Sequence, residues 1–317
     1  MHLLINKKNL VLILIILLGT FFRFYKLSEF PIQLNHDEIS QLYDTGSILE
    51  TKRDIYGNFL PLAFPSTGDY KVGHYIYIST IPHLLLGNRE VTIRIPAAFF
   101  GTLTILAVFL LVKILTNNWL MAILSAAVIS FTPSEIFYSR KSFENVIGVS
   151  LDFFGIFFLL KYLKEEGDKI WAILGIFLLT IAMYIYTSHT IVVPIFIIFL
   201  SYLFRRKVFS RAREFLLFFL FWIALLIPLI IFTIQDSGLR FRAQTVFITQ
   251  DINLGNVINL NGSRIKSYLD FVPNKFLNQF DPAYLFLNGL DLTNQNAFDM
   301  GPLMIWQFPL LIMGIIF

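Results

Sequence analysis

The chain contains no cysteine, and only 15% of its 317 residues are charged. The absence of cysteine excludes a disulfide framework, a thiol nucleophile and a cysteine-ligated metal. The shortage of charge accompanies a hydrophobic fraction of 56% and a mean hydropathy of +0.69, which together exclude a soluble domain. A formal charge of +4 is too small an excess to indicate a nucleic-acid partner. These limits predict an integral membrane protein.

Long apolar runs are the main organising feature of the sequence. A run of roughly 20 apolar residues is needed to cross the hydrocarbon core of a bilayer as a helix. The pattern predicts an all-α polytopic membrane protein with eight transmembrane helices and two long outer loops that carry short interfacial helices. The eight predicted helices are Asn9–Tyr25, Thr92–Leu115, Trp119–Phe131, Val146–Leu163, Ile170–Tyr186, Ile191–Phe204, Phe215–Ile234 and Leu303–Phe317.

This pattern also predicts the domain organisation. We expect a first transmembrane helix in 1–25, a first outer loop in 26–91, helices two to seven in 92–234, a second outer loop in 235–302 and the start of an eighth helix in 303–317. Because the last apolar run stops without a flanking charge, we expect the chain to be the front part of a longer protein.

The charges between the apolar runs indicate the orientation. With the N-terminus inside, eleven basic residues lie in inner loops and only two, Arg140 and Lys141, lie in short outer turns. That distribution follows the positive-inside rule and places both long loops on the outer face. A composition rich in Ile, Phe and Asn favours a prokaryotic cytoplasmic membrane. The eleven are Lys7, Lys8, Lys113, Lys161, Lys164, Lys169, Arg205, Arg206, Lys207, Arg211 and Arg213.

Two adjacent acids follow the first predicted helix. Asn35 and Glu38 have the spacing of a capping box, and the apolar residues after them repeat at helical spacing, so a helix is predicted to lie flat on the outer surface. Asp37 and Glu38 then occupy its first turn. Either they only cap the helix and complement its dipole, or one of them points into a cavity as a general base.

A cation stands among aromatic residues before the second predicted membrane helix. The segment from Tyr70 through Lys71 to Tyr75 is typical of an aromatic belt with a lysine that reaches the interface. Alternatively, Lys71 neutralises an anionic head group.

Polar residues also line one predicted helix face. If the fourth membrane helix starts near Ser139, then Arg140, Glu144, Gly148 and Asp152 follow one another at intervals of four residues. A carboxylate inside a membrane span is expensive, so Asp152 is either functional or held in an intramolecular pair or a water-filled packing defect.

Two turns complete the set of polar features. His189 lies in the turn between the fifth and sixth helices, where a lone histidine is usually solvated, with a catalytic role as the less favoured alternative. In the second long loop, Asp281 and Pro282 predict the cap and first turn of a short helix. No segment has the spacing of a metal site.

The order of these motifs resembles the polyprenyl-phosphate-sugar-dependent glycosyltransferases of the C superfold. That group includes protein O-mannosyltransferases and bacterial lipid A aminoarabinose transferases. The resemblance rests on His-Asp-Glu after the first helix, Tyr-Lys…Tyr before the second, Ser-Arg-(x)3-Glu at the fourth, Tyr-(x)n-Pro at the fifth turn and Phe-Asp-Pro-Ala-Tyr-Leu-Phe-Leu-Asn-Gly before the eighth.

The resemblance implies roles for individual residues. Asp37 matches the family's first-loop acid, Glu38 the acid after it, and Glu144 resembles the second acidic site, so these three are the implied catalytic residues. Lys71 resembles the lysine that holds the lipid phosphate, although Val72 and Gly73 replace the family's prolines, and Arg140 is the second implied phosphate ligand. The further residues expected to contact substrate are Tyr70, Tyr75, Asp152 and His189.

The implied reaction is transfer of a hexosyl or pentosyl group from a polyprenyl phosphate to an acceptor hydroxyl, with inversion. Asp37 would remove the acceptor proton, and Lys71 and Arg140 would stabilise the phosphate. The acceptor is a lipid, a glycan or a protein. No cofactor is required, although an acidic cluster could bind a divalent metal. Two alternatives stay open: a secondary transporter of an anionic or sugar-like solute, and a non-catalytic lipid-binding or assembly subunit.

Overall fold

A computed structural model of the chain describes residues 7–66, 69–165, 167–235, 254–255, 258, 263–288 and 301–316, without the side chains of 65–72, 235, 288, 315 and 316. The chain divides into two compact units. The first comprises Met1–Phe131 with Glu135–Gln235, and the second comprises Thr132–Ser134 with Asp236–Phe317.

The first unit is built mainly from helices. Their bounds and those of one hairpin are α1 Lys7–Phe24, α2 His36–Thr51, β1 Ala63–Ser66, β2 Asp69–Val72, α3 His74–Leu86, α4 Glu90–Thr116, α5 Trp119–Phe131, α6 Pro133–Ser139, α7 Glu144–Glu165, α8 Lys169–Ile185, α9 His189–Leu203, α10 Arg205–Ser210 and α11 Ala212–Gln235. Helix α6 begins within the short segment that belongs to the second unit.

Helices occupy the predicted membrane segments, and an integral helical membrane protein is therefore supported. Among the described residues, three helices are long and apolar enough to span a bilayer: α4, α7 and α11. Helices α5 and α6, bent by 61° at their junction, make a fourth span if they are counted as one. Helices α8 and α9 are apolar but shorter. The described residues therefore do not confirm the predicted number of eight membrane spans.

The first predicted outer loop contains a small antiparallel hairpin, so the all-α prediction was incomplete. Strand β1 pairs with β2 in the register Ala63 to Val72, Phe64 to Lys71, Pro65 to Tyr70 and Ser66 to Asp69. Each strand has only four residues, and runs this short do not stand out against long apolar segments. The hairpin leads directly into α3.

The core of the first unit lies where α7 packs against α4 and α8. Small residues allow this approach: a Cβ added at Gly155 of α7 would come within 2.6 Å of Leu179 Cγ on α8. Beside this contact, buried Ile147 and Leu151 of α7 pack with Tyr75 of α3. Helix α3 is thereby tied to the membrane helices, which positions the hairpin and α2 beside the start of α7.

The second unit contains α12 (Arg264–Leu277), a 3-10 turn at Asn278–Phe280, a π turn at Tyr284–Asn288, a 3-10 turn at Ile305–Gln307 and α13 (Phe308–Ile316). The predicted cap is confirmed, because the Asp281 carboxylate accepts a hydrogen bond from the Ala283 N–H at 2.9 Å. Gln307 Nε2 donates to Thr132 Oγ1 at 2.7 Å, and Ser134 Oγ donates to the Pro302 carbonyl at 2.7 Å.

Candidate active site

The start of α2 has the predicted capping box. The Asn35 side chain accepts from the Glu38 N–H at 2.7 Å, and the Asn35 N–H donates to Glu38 Oε2 at 3.0 Å. These bonds satisfy backbone donors that the first helical turn would otherwise leave unpaired. The backbone of the first turn, which carries both adjacent acids, is therefore held in a defined position.

Glu38 is fully buried in an ion pair with Arg94 of α4. Arg94 Nε donates to Glu38 Oε1 at 2.9 Å and Nη2 donates to Oε2 at 3.4 Å, with both side chains 1% exposed. Ser142 N–H also donates to Oε1, at 3.3 Å. Since both oxygens of Glu38 already accept hydrogen bonds, this geometry supports a positioning role for the residue rather than contact with a substrate.

Sequence reasoning missed Arg94, although a signal was present. An arginine two residues inside a predicted membrane helix is expensive and needs a buried partner. Its remaining donors satisfy backbone carbonyls before α2: Leu27 at 3.3 Å, Pro31 at 2.8 Å and Gln33 at 3.3 Å. One side chain of α4 therefore fixes both the entry to α2 and the acid in its first turn.

Helix α2 is joined to α7 by one side-chain hydrogen bond. Gln41 Nε2 donates to Glu144 Oε1 at 3.2 Å, across 103 residues of sequence. Gln41 is 2% exposed, and its Oε1 is buried with no hydrogen-bond partner among the described residues. Asp37 is half-buried and lies one turn before Gln41 on the same helix face. The structure thus joins Glu144 to Gln41, which is one helical turn after Asp37.

Tyr75 lies behind this group of acids. It is completely buried, and its hydroxyl donates to the Ile93 carbonyl. Burial raises the pKa of Tyr75 well above its ordinary value, and the carboxylates of Glu38 and Glu144 raise it further. Because Tyr75 is completely buried, its position supports a role in packing the site rather than the predicted contact with substrate.

Lys141 is a second residue that sequence reasoning assigned only to topology. It is 7% exposed, and its ammonium lies 4.6 Å from the Phe137 ring centroid. Burial lowers the pKa of Lys141, the Glu38 carboxylate raises it, and the Arg94 guanidinium lowers it. Glu38 therefore has two cations near it, Arg94 and Lys141.

Arg140 does not share a helix face with Glu144, contrary to the prediction. Helix α6 ends at Ser139 and α7 begins at Glu144, so Arg140 lies in the turn between them. Its guanidinium donates to the carbonyls of Phe22 at 2.7 Å, Lys26 at 3.1 Å and Phe30 at 3.0 Å. Arg140 therefore caps the C-terminal end of α1 and pairs carbonyl groups of the turn that follows it. Burial lowers the pKa of Arg140, and the charge of Arg94 lowers it further.

Asp152 and His189 form a buried pair between α7 and α9. Asp152 Oδ2 lies 2.6 Å from His189 Nδ1, and the two residues are 7% and 6% exposed. The interpretation of His189 as a solvated histidine was therefore wrong. For Asp152, the structure shows the predicted intramolecular pair. The histidine ring lies directly over Gly148, one turn from Glu144.

Tyr70 and Lys71 belong to strand β2, and their side chains lie outside the described residues. Their predicted contacts with substrate and phosphate stay predictions.

Within the described part of the chain, no three Asp, Glu or His side chains lie close enough together to bind a metal ion. The expectation about cofactors and metal also stays a prediction.

The fold and this group of residues define a helical membrane protein with buried acids and cations gathered at the ends of its helices. Residues 74–232, half of the chain, match the model of the dolichyl-phosphate-mannose-protein mannosyltransferase family, and the chain belongs to that family. It is therefore a mannosyltransferase-type membrane glycosyltransferase, as the resemblance predicted. No curated protein matches the chain. Membership favours an enzyme over the secondary transporter, but the match begins after Asp37, Glu38 and Lys71.

Proposed function

We propose that this protein transfers a sugar from a polyprenyl phosphate to an acceptor hydroxyl, with inversion, at the site between the first turn of α2 and the start of α7. The observation that carries the proposal is the hydrogen bond from Gln41 to Glu144. It joins the segment with the predicted general base to the second predicted acid. The family match supports the class of reaction.

Asp37 is the proposed general base. A positioned carboxylate that reaches a substrate hydroxyl can accept its proton, and Asp37 lies in the first turn of α2, whose backbone the capping box fixes. Asp37 is half-buried, whereas its neighbour Glu38 is fully buried against Arg94. The two acids therefore have different proposed roles. Glu38 fixes the backbone of the turn, and Asp37 accepts the proton of the acceptor hydroxyl. Glu144 orients the acceptor.

The leaving phosphate needs positive charge more than it needs a proton, because charge grows on its oxygens as the glycosidic bond breaks. Lys71 is the proposed direct ligand of the phosphate. Lys141 adds charge from the turn before α7, close to Glu38. Arg140 contributes through its charge, since its N–H groups donate to carbonyls around the end of α1.

The donor and acceptor are proposed at two levels. The family description supports mannose, a hexosyl group, as the proposed donor sugar and a protein hydroxyl as the proposed acceptor. A pentosyl donor and a lipid or glycan acceptor are the alternatives within the same chemistry. The reaction is proposed to take place on the outer face of a prokaryotic cytoplasmic membrane, because basic residues are concentrated in the loops of the other side. It requires no cofactor in this account.

The direct test is reconstituted transfer by the full-length protein from radiolabelled polyprenyl-phosphate mannose. Removing a general base costs about 10²–10⁴ in rate, so Asp37→Asn should lower kcat by at least about a hundredfold. Asp270→Asn, which changes an exposed aspartate of α12, is the matched control and should retain full activity. NMR of the product should show an inverted anomeric centre. Undiminished turnover by Asp37→Asn would refute the general-base assignment, whereas a wild-type protein that transfers no sugar would favour the non-catalytic alternative.

A further inference from the structure

A partly open cavity lies away from the acids of α2 and the start of α7. It is a cavity of about 250 Å³ among α7, α8, α9, α10 and α11, lined almost entirely by apolar and aromatic side chains. Representative residues are Leu159, Ile176, Leu200, Phe218 and Trp222. This volume is below the range of about 300–1,000 Å³ that is usual for compact small-molecule sites. Part of a flexible hydrocarbon chain matches both the volume and the lining.

The few polar groups of the cavity wall are hydrogen-bonding side chains without formal charge. They belong to Tyr162, Ser201 and Trp222. The Trp222 indole Nε1 is buried and has no acceptor among the described residues. A buried donor without an acceptor is costly, and an ester carbonyl at the top of an acyl chain would supply one.

A strongly basic segment borders the same cavity. Arg205, Arg206 and Lys207 begin α10, and Val208, the next residue, lines the cavity. Lys207 Nζ donates to the carbonyls of Tyr162 and Leu163 at 3.4 and 3.0 Å, which places this cation at the rim. Arg205 and Arg206 are exposed beside it. Clusters of basic residues beside membrane helices attract anionic lipid head groups.

The cavity is separate from the proposed transfer site. Leu159 lies 15 residues after Glu144 on α7, which corresponds to about 22 Å along the helix axis. A donor whose phosphate lies at the start of α7 therefore cannot also place that phosphate on the basic segment.

We propose that this cavity holds an acyl chain of an anionic glycerophospholipid whose head group lies against Arg205, Arg206 and Lys207. The chain fills the apolar volume, its ester carbonyl accepts from Trp222 Nε1, and its phosphate is neutralised by the basic rim. The proposal is independent of the transfer reaction, because it concerns lipid binding at the other end of α7.

Native mass spectrometry of the delipidated full-length protein in detergent tests this site. Dioleoylphosphatidylglycerol should bind about tenfold more tightly than dioleoylphosphatidylcholine, since basic residues beside membrane helices attract anionic head groups. Ser201→Phe fills the cavity and should weaken phosphatidylglycerol binding about tenfold. Ser125→Phe makes the same change on α5, away from the cavity, and should leave binding unchanged.

A charge variant keeps the test decisive if Ser201→Phe fails to fold. Arg205→Gln combined with Arg206→Gln changes only exposed side chains and should reduce the preference for phosphatidylglycerol to within about twofold of phosphatidylcholine. Equal binding of the two lipids by the wild type would overturn the proposal. So would competitive displacement of phosphatidylglycerol by polyprenyl phosphate, because the occupant would then be the donor lipid.

Discussion

At the residue scale, the two adjacent acids of α2 differ because only one of them has a buried cation as its partner. The Glu38–Arg94 pair is 1% exposed on both sides. A buried pair of this kind adds little net stability over apolar residues, but removing one partner leaves the other charge uncompensated. The Glu38–Arg94 pair therefore holds α2 in a defined position relative to α4.

Glu38→Gln tests this joint. Breaking a buried ion pair costs about 3–5 kcal/mol, so the variant should unfold at a clearly lower temperature in detergent. The matched control is Glu29→Gln, which breaks the exposed pair between Lys26 and Glu29 and should change stability by no more than about 1 kcal/mol. Equal effects of the two substitutions would contradict the role assigned to Glu38.

Gly148 gives a second prediction at this scale, because a Cβ at this position would overlap the His189 ring. Overpacking of a tight core typically costs about 1–3 kcal/mol, and Gly148→Ala should destabilise the protein by that amount. Gly314→Ala, at a helical glycine whose added Cβ meets nothing within 4 Å, is the matched control. Combining Gly148→Ala with His189→Ala should remove part of the cost. A fully additive double variant would show that the ring is not the obstacle.

His74 predicts a dependence of stability on pH. Burial lowers the pKa of His74, although a hydrogen bond to the Tyr184 backbone raises it. As pH falls through the ordinary histidine value of about 6.5, the unfolded chain takes up a proton that the folded chain resists. Stability should therefore fall between pH 7 and 5, by up to about 1.4 kcal/mol per unit.

The comparison for this effect uses two histidines. His74→Gln should flatten the slope of unfolding temperature against pH. His36→Gln, at an exposed histidine of α2, should leave the slope as it is in the wild type. A slope unchanged in His74→Gln would show that other groups produce it.

At the element scale, the orientation of α2 relative to α7 decides whether the acids meet. Gln41 is buried and donates to Glu144, so Gln41→Ala should shift α2 without removing any proposed catalytic group. A displacement of about 1 Å can cost up to a hundredfold in rate, and we expect kcat to fall about tenfold or more in protein that is folded at the assay temperature. Gln33→Ala changes an exposed side chain and is the matched control. A wild-type kcat in Gln41→Ala would show that the hydrogen bond from Gln41 to Glu144 does not position the acids.

Elements with strong local signals were predictable from the sequence. The capping box at Asn35 and the apolar runs of α4, α7 and α11 each depend on neighbouring residues, and each was found near its predicted position. The outer turn before the fourth predicted helix was expected, but the short helix α6 within it was not, and the alternative start of the fourth helix near Ser139 was wrong because α7 begins at Glu144. The hairpin was missed because its pairing depends on non-local hydrogen bonds between two very short strands.

The candidate site was predictable only in outline. Asp37 and Glu144 could be selected from their positions in the sequence, but their partners could not. Arg94 and Gln41 act through contacts across 56 and 103 residues, and periodicity carries no information about such pairs. A charge inside an apolar run is the one local signal that would have identified Arg94.

At the scale of the whole molecule, the first unit combines a family-matched helical region with a preceding segment that supplies the proposed base. The match covers 74–232, whereas Asp37 and Glu38 precede it. The two parts are tied together by Arg94 and Gln41. The segment before the matched region therefore belongs to the same proposed catalytic unit.

Single-turnover transfer by Asp37→Asn, measured beside donor binding, tests this central claim most directly. The full-length protein is saturated with radiolabelled polyprenyl-phosphate mannose, and bound donor and transferred sugar are followed over time. We predict that the variant binds donor about as tightly as the wild type but transfers sugar at least about a hundredfold more slowly. Wild-type single-turnover rates in Asp37→Asn would contradict the account.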